Sequence, residues 1–170
     1  NNAGLAVGLE SIHEGDPDDW ECMIDTNIKG LLYVTRAVAP GMVARRAGHI
    51  VNLGSISSRE VYPGGAVYCA TKHAVRALSQ GMRQDLLPYG IRVSLICPGA
   101  VETEFSIVRF KGDNQRAAGV YDSYTPLSAD DIARTIRFAL TAPAHVDLQD
   151  ILVMPTAQAD ARTIHRTPKG

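Results

Sequence analysis

His49-Ile50-Val51-Asn52-Leu53, closed by Gly54-Ser55, is a short apolar run rich in β-branched residues. A run this brief between turn signals suits a strand buried in a parallel sheet better than a helix. Toward the C-terminus a polar loop, Ser55 to Gly65, leads to a segment from Tyr68 to about Leu87. There Thr71, Val75, Leu78, Met82 and Leu86 keep helical spacing, and Pro88 with Gly90 closes the helix. Ile91 to Ile96 reads as a second strand. Toward the N-terminus, Leu31, Leu32, Val34, Val38 and Met42 predict a helix over Asn27 to Arg46, with a kink before Pro40 and an end at Gly48. Strands separated by long helices require crossover connections, so the predicted fold is α/β with a doubly wound parallel sheet.

The remaining punctuation fits that plan. Asp16-Pro17-Asp18-Asp19 predicts a helix start, with Asp16 as cap and Pro17 in the first helical position. Pro98-Gly99 ends the second strand, and the stretch from there to Pro126 has no persistent period, as a lid does. Ser128-Ala129-Asp130-Asp131 opens a helix to about Thr141, Asp150 to Met154 is a last strand, and Thr156 to Gly170 is a polar tail.

Composition narrows the function. The 170 residues are 45% hydrophobic and 21% charged, with a formal net charge of −1 and scattered basic residues, which speaks against a nucleic-acid partner. Cys22, Cys69 and Cys97 form no CxxC pair and no even-numbered framework, so reduced thiols in the cytoplasm are expected. The five histidines lack ligand spacing, so no metal is expected. No apolar run approaches the ~20 residues that span a bilayer, so no membrane partner is expected either. The chain opens at Asn1-Asn2-Ala3-Gly4 without an initiator methionine, as if cut from something longer.

The chemistry concentrates in Ser55, then Tyr68 thirteen positions on, then Lys72 four further. Tyr-x-x-x-Lys alone is a weak signal, since two such residues on a helix are often surface neighbours. Here the pair opens the helix of a strand-loop-helix unit, where a doubly wound sheet binds its ligands. An ammonium beside a phenol favours the phenolate, and three units of lowering correspond to roughly 4 kcal/mol. Tyr68 then gives a proton to a carbonyl oxygen and takes it back in the reverse direction, while Ser55 steadies that oxygen.

Asn1-Asn2-Ala3-Gly4, Asn27 within Asp25 to Gly30, Ser55, Tyr68-Cys69-Ala70-Thr71-Lys72, and Pro98-Gly99 with Thr103 resemble, in order and spacing, the successive motifs of the short-chain dehydrogenase/reductases. The resemblance covers essentially the whole chain. It implies a Rossmann-type domain and a nicotinamide-dependent oxidoreductase with the tetrad Asn27, Ser55, Tyr68 and Lys72. It further implies that Asn2, Ala3 and Gly4 line the adenine side of the cofactor and that Lys72 bonds the nicotinamide ribose. Asn27 holds a water against Lys72 on this reading; a helix-kink asparagine bonded to backbone is compatible with that role. Pro98, Gly99, Val101 and Thr103 border the nicotinamide, although a threonine without function is ordinary in a loop.

The sequence departs from the family at its front, where a strand, a glycine-rich turn and a helix normally bind the pyrophosphate. The 170 residues therefore read as one partial domain, the C-terminal, catalytic part, and this polypeptide alone is expected to be inactive. The segment that selects NADP or NAD is not among them. The stretches Thr103 to Asp113, Pro143 to Val146 and Met154 to Gln158 are similar to a subgroup, the NADP-dependent 3-hydroxy acid dehydrogenases, which include serine and allo-threonine dehydrogenases. That likeness implies NADP, with NAD not excluded, and a small 3-hydroxy acid or its carbonyl counterpart. A planar guanidinium suits the substrate carboxylate, and Arg59 and Arg109 are the two candidates; either is equally readable as a solvated or ion-paired arginine. The alternatives are a broad aldehyde and ketone reductase with the same tetrad, or a non-catalytic member of the fold. The two long helices resemble those that pair in family oligomers, which implies a homodimer or homotetramer.

Overall fold

The Asp16 carboxylate accepts the N–H of Asp18 at 3.0 Å and starts α1, Pro17–Ile24. This is a computed structural model, and it describes residues 1–167; the end of the predicted polar tail, Pro168 to Gly170, lies outside the described residues. From α1 the chain passes through a wide π-helical turn, Asp25–Gly30, directly into α2, Leu31–Arg45. The expected end at Gly48 is two residues late. Arg46 turns into the left-handed region at φ 51° and stops the helix, and Gly48 already belongs to β1, Gly48–Leu53.

After β1 the loop is not wholly irregular, since Ser55 caps a short 3-10 turn over Ile56–Ser58. The long helix α3 spans Ala66–Leu86, and Gly90 at φ 69° reverses the chain into β2, Ile91–Pro98. The lid contains two short helices that its lack of period did not reveal, α4 (Phe105–Arg109) and α5 (Asn114–Gly119). Ser128 and Asp131 cap α6, Ala129–Leu140, reciprocally, and β3 is Asp150–Val153.

The sheet order is β1-β2-β3 and both pairings are parallel, with Asn52 opposite Leu95 and Leu95 opposite Asp150. Asn1 adds to the free edge of β1, its nitrogen donating to the Val51 carbonyl and its carbonyl accepting from Leu53. Alternation along β2 separates two faces. Val93, Leu95 and Cys97 meet Val75, Met82 and Leu86 of α3 in the main core. On the other face Arg92 donates to the carbonyls of Leu140 and Ala142 at the end of α6. Helices therefore cover both sides of a parallel sheet, in the Rossmann manner. No helix among the described residues is long and apolar enough to cross a membrane. The carboxyl ends of β1 and β2 and the start of α3 converge, which is where such sheets hold their ligands.

Candidate active site at the carboxyl ends of the strands

Tyr68 lies in the first turn of α3, buried in a small apolar cluster with Ala6 and Met23, against which Trp20, Tyr62 and Phe105 pack. Its ring is tilted on that of Phe105 with centroids 5.6 Å apart. Burial pushes the phenol well above its ordinary pKa, and a hydrogen bond from the Ser55 side chain together with the charge of Arg109 opposes that only in part. The expected lowering by Lys72 is not what the geometry provides. Lys72 Nζ stands 5.9 Å from the Tyr68 ring centroid and donates to the Leu53 carbonyl at 2.9 Å. These surroundings favour the protonated phenol.

Burial lowers Lys72 to about 8. One bond to Leu53 leaves two of its three N–H donors for another partner. The ammonium is buried because α3 packs over the end of β1, and because Gly4 carries no side chain. A Cβ there would lie 3.3 Å from both Lys72 Nζ and Asn27 Oδ1. Asn27 sits in the π turn and bonds both backbone groups of Leu5, at 2.9 and 2.8 Å, and donates to Thr71 Oγ1 at 3.0 Å. Thr71, which sequence reasoning passed over as a core position, donates in turn to the Tyr68 carbonyl. Asn27 and Lys72 share Gly4 as a neighbour, and no bond joins them among the described residues. The asparagine's backbone bonds are the direct contacts that the fold supplies.

Ser55 is fixed by the turn it caps, its hydroxyl accepting the N–H of Ser57 at 3.1 Å. Asn2 and Ala3, with Leu53 and Lys72, line an open cavity of about 260 Å³ beside β1. At the end of β2 the Gly99 N–H donates to Val153, and the Val101 carbonyl accepts the Tyr121 hydroxyl at 2.8 Å. Thr103 is exposed, and its hydroxyl accepts the Phe105 N–H at 3.3 Å, the local role the sequence had left open to it.

The two candidate arginines part company. Arg59 is paired with Asp150 at 2.5 Å, which also meets Arg76 at 3.3 Å, so its charge is spent at the start of β3. Arg109 instead lies between two tyrosines, 5.3 Å from the Tyr62 ring centroid and 5.4 Å from that of Tyr68. Its Nη2 donates to the Tyr62 hydroxyl at 2.6 Å, while its Nε is buried without a partner. Tyr62 was hidden in a loop read as polar. The available signal was an aromatic residue directly before Pro63-Gly64-Gly65, and a Cβ on Gly65 would come within 2.1 Å of the Tyr62 ring. Among the described residues no group of three or more His, Cys, Asp or Glu is arranged for a metal ion.

A tyrosine acid beside a serine, with a buried lysine one turn on at the mouth of a parallel sheet, defines a nicotinamide-dependent oxidoreductase site, and residues 1–114 match the family described as short chain dehydrogenase. The chain belongs to that family. It is similar to the NADP-dependent 3-hydroxy acid dehydrogenase of Salmonella typhi, with 50% identity over 169 residues that cover 98% of this chain and 68% of that protein. The enzyme of the same description from Schizosaccharomyces pombe is 45% identical over 166 residues, covering 98% of this chain and 64% of that one. The closed form of a serine dehydrogenase complexed with NADP+ superposes with a TM-score of 0.92 at 47% identity, over 97% of this chain and 67% of that one. The chain thus spans about two thirds of the length of these relatives.

Proposed function

We propose that this protein transfers hydride between NADP and the third carbon of a small 3-hydroxy acid, with Tyr68 moving the proton. The observation that carries this reading is the half-buried Arg109 beside the Tyr68 ring, with its Nε buried and unpartnered. A carboxylate is the group that completes such a cation, and a carboxylate set near a reacting hydroxyl describes a hydroxy acid. The names of the relatives, 3-hydroxy acid and serine dehydrogenases, support the same class.

The residues present fit the nicotinamide riboside end of the cofactor. Lys72 has two unspent donors for ribose hydroxyls, and Gly4 keeps its backbone close to Lys72 where a side chain would intrude. Asn2 and Ala3 border the adenine side, and Pro98, Gly99, Val101 and Thr103 the nicotinamide. Bound NADP supplies or accepts the hydride. In the direction of reduction Tyr68 donates its proton to the substrate oxygen, Ser55 donates a hydrogen bond to the same oxygen, and Arg109 holds the carboxylate. In oxidation Tyr68 takes the proton back. Asn27 holds Leu5 and Thr71 in place and thereby the floor beneath Lys72 and Tyr68. Arg59 is left as a structural ion pair. We further place the protein in the cytoplasm and read it as a homodimer or homotetramer, supported by the exposed apolar residues Leu32, Tyr33, Val34 and Val38 along α2.

The deciding experiment, run like every kinetic test below on the complete enzyme, compares a 3-hydroxy acid with its methyl ester. Arg109→Ala is expected to cost the acid about 2 to 5 kcal/mol in kcat/KM and to leave the ester nearly unchanged. Arg109→Lys recovers part of the loss, since a point charge does not reproduce the planar fork. Equal losses on acid and ester would refute the carboxylate reading in favour of a broad carbonyl reductase.

A further inference from the structure

We infer that Tyr62 is the positioning residue for Arg109, and that through this contact it sets the preference for an acidic over a neutral substrate. This rests on Arg109 as the carboxylate ligand. An arginine on a five-residue lid helix has many rotamers, and one that wanders binds a carboxylate poorly because ordering it costs entropy at each turnover. Tyr62 removes that freedom in two ways. Its hydroxyl accepts from Arg109 Nη2 at 2.6 Å, and its ring face lies 5.3 Å from the guanidinium carbon. The Tyr68 ring centroid lies 5.4 Å from the same carbon. The cation is therefore held within reach of the proton-donating residue before any substrate arrives.

Tyr62 also stands on the loop that follows β1, seven residues after Ser55. The hydroxyl that faces the reacting oxygen and the residue that holds the cation are thus carried by one segment, and the distance between the two ends of the substrate is set by that segment and not by the lid alone. The lid's own ties are weaker in placing the guanidinium: the Arg109 carbonyl accepts the N–H of Gly8, and Lys111 pairs with Asp19 at 2.8 Å, both of which hold the backbone of α4 and its exit and leave the side chain free.

The test uses Tyr62→Phe, which keeps the ring and deletes the acceptor. For the 3-hydroxy acid, KM is expected to rise about tenfold or more, as for loss of a hydrogen bond to a charged group, with kcat changed by less than about threefold; for the methyl ester neither constant changes by more than about twofold. In the Arg109→Ala background the same substitution is expected to add nothing to the acid's KM, since the group it positions is gone. Equal effects of Tyr62→Phe on acid and ester, or full additivity with Arg109→Ala, would overturn the proposal. The two readings fail separately. If Arg109→Ala preserves the preference for acid over ester, the carboxylate assignment falls; if it abolishes the preference while Tyr62→Phe leaves it intact, only the role of Tyr62 falls.

Discussion

Lys72 carries its charge almost wholly buried, and that has a measurable sign. Its pKa is about 8 in the folded protein against an ordinary 10.5, so between these values the unfolded chain holds a proton that the folded chain has released. Stability therefore rises with pH across that window, by up to about 3 kcal/mol, and below pH 8 the burial penalty is fully in force. Urea denaturation at pH 7.5 and near pH 10 should show the rise in the wild type and its loss in Lys72→Met; a rise that persists in the variant assigns it to another group. Tyr68, held above its ordinary value, works the other way, and only once pH passes 10. Tyr68→Phe removes the transferring oxygen, so kcat should fall by about 10² to 10⁴ while NADP affinity, measured by fluorescence titration, stays near wild type. That Tyr68 and Lys72 share a helix face was readable from their spacing. That the lysine turns to Leu53 and not to the phenol was not, because the choice depends on a carbonyl nineteen positions away.

Among the elements, the legible ones are those whose signals are local. Asp16 before Pro17, and Ser128 with Asp131, cap their helices as their side chains dictate, and the β-branched runs at Ile50 and Val93 form paired strands. The helices α4 and α5 escaped because five or six residues span too little of a turn pattern to show a period. The meeting of Arg109 and Tyr62 escaped for a different reason: 47 positions separate them, and nothing local to either residue encodes the other. α6 stands apart from the site, which allows a clean contrast. Ser128→Ala should lower stability by about 1 kcal/mol through loss of the Ser128 hydroxyl's bonds to Asp131, and leave the kinetic constants unchanged. A change in kcat with that variant would mean that α6 communicates with the lid.

On the scale of the whole molecule, the outward face of α2 sets the expectation for assembly. Tyr33 is 70% exposed and Val34 50%, more apolar surface than one helix of a monomer usually presents. Sedimentation at micromolar concentration should report a dimer or larger species, and Tyr33→Glu with Val34→Glu should shift it toward monomer. The same helix carries one further consequence. Met23, Asn27, Leu31 and Thr35 are all buried, a repeat of four that an α-helix of 3.6 residues per turn would let drift around its circumference. The wide turn over Asp25–Gly30 absorbs that drift, acting as a phase correction that keeps two stretches of helix facing one core. Removing a single residue from it would restore a regular helix and leave the two stretches in phase, since Met23 and Leu31 would then stand seven residues apart, about 700° along an α-helix and within about 20° of two whole turns. The loss would fall on the turn itself, where Asn27 holds the backbone of Leu5 and the Thr71 hydroxyl, so the extra residue serves the site and not the packing of the helix.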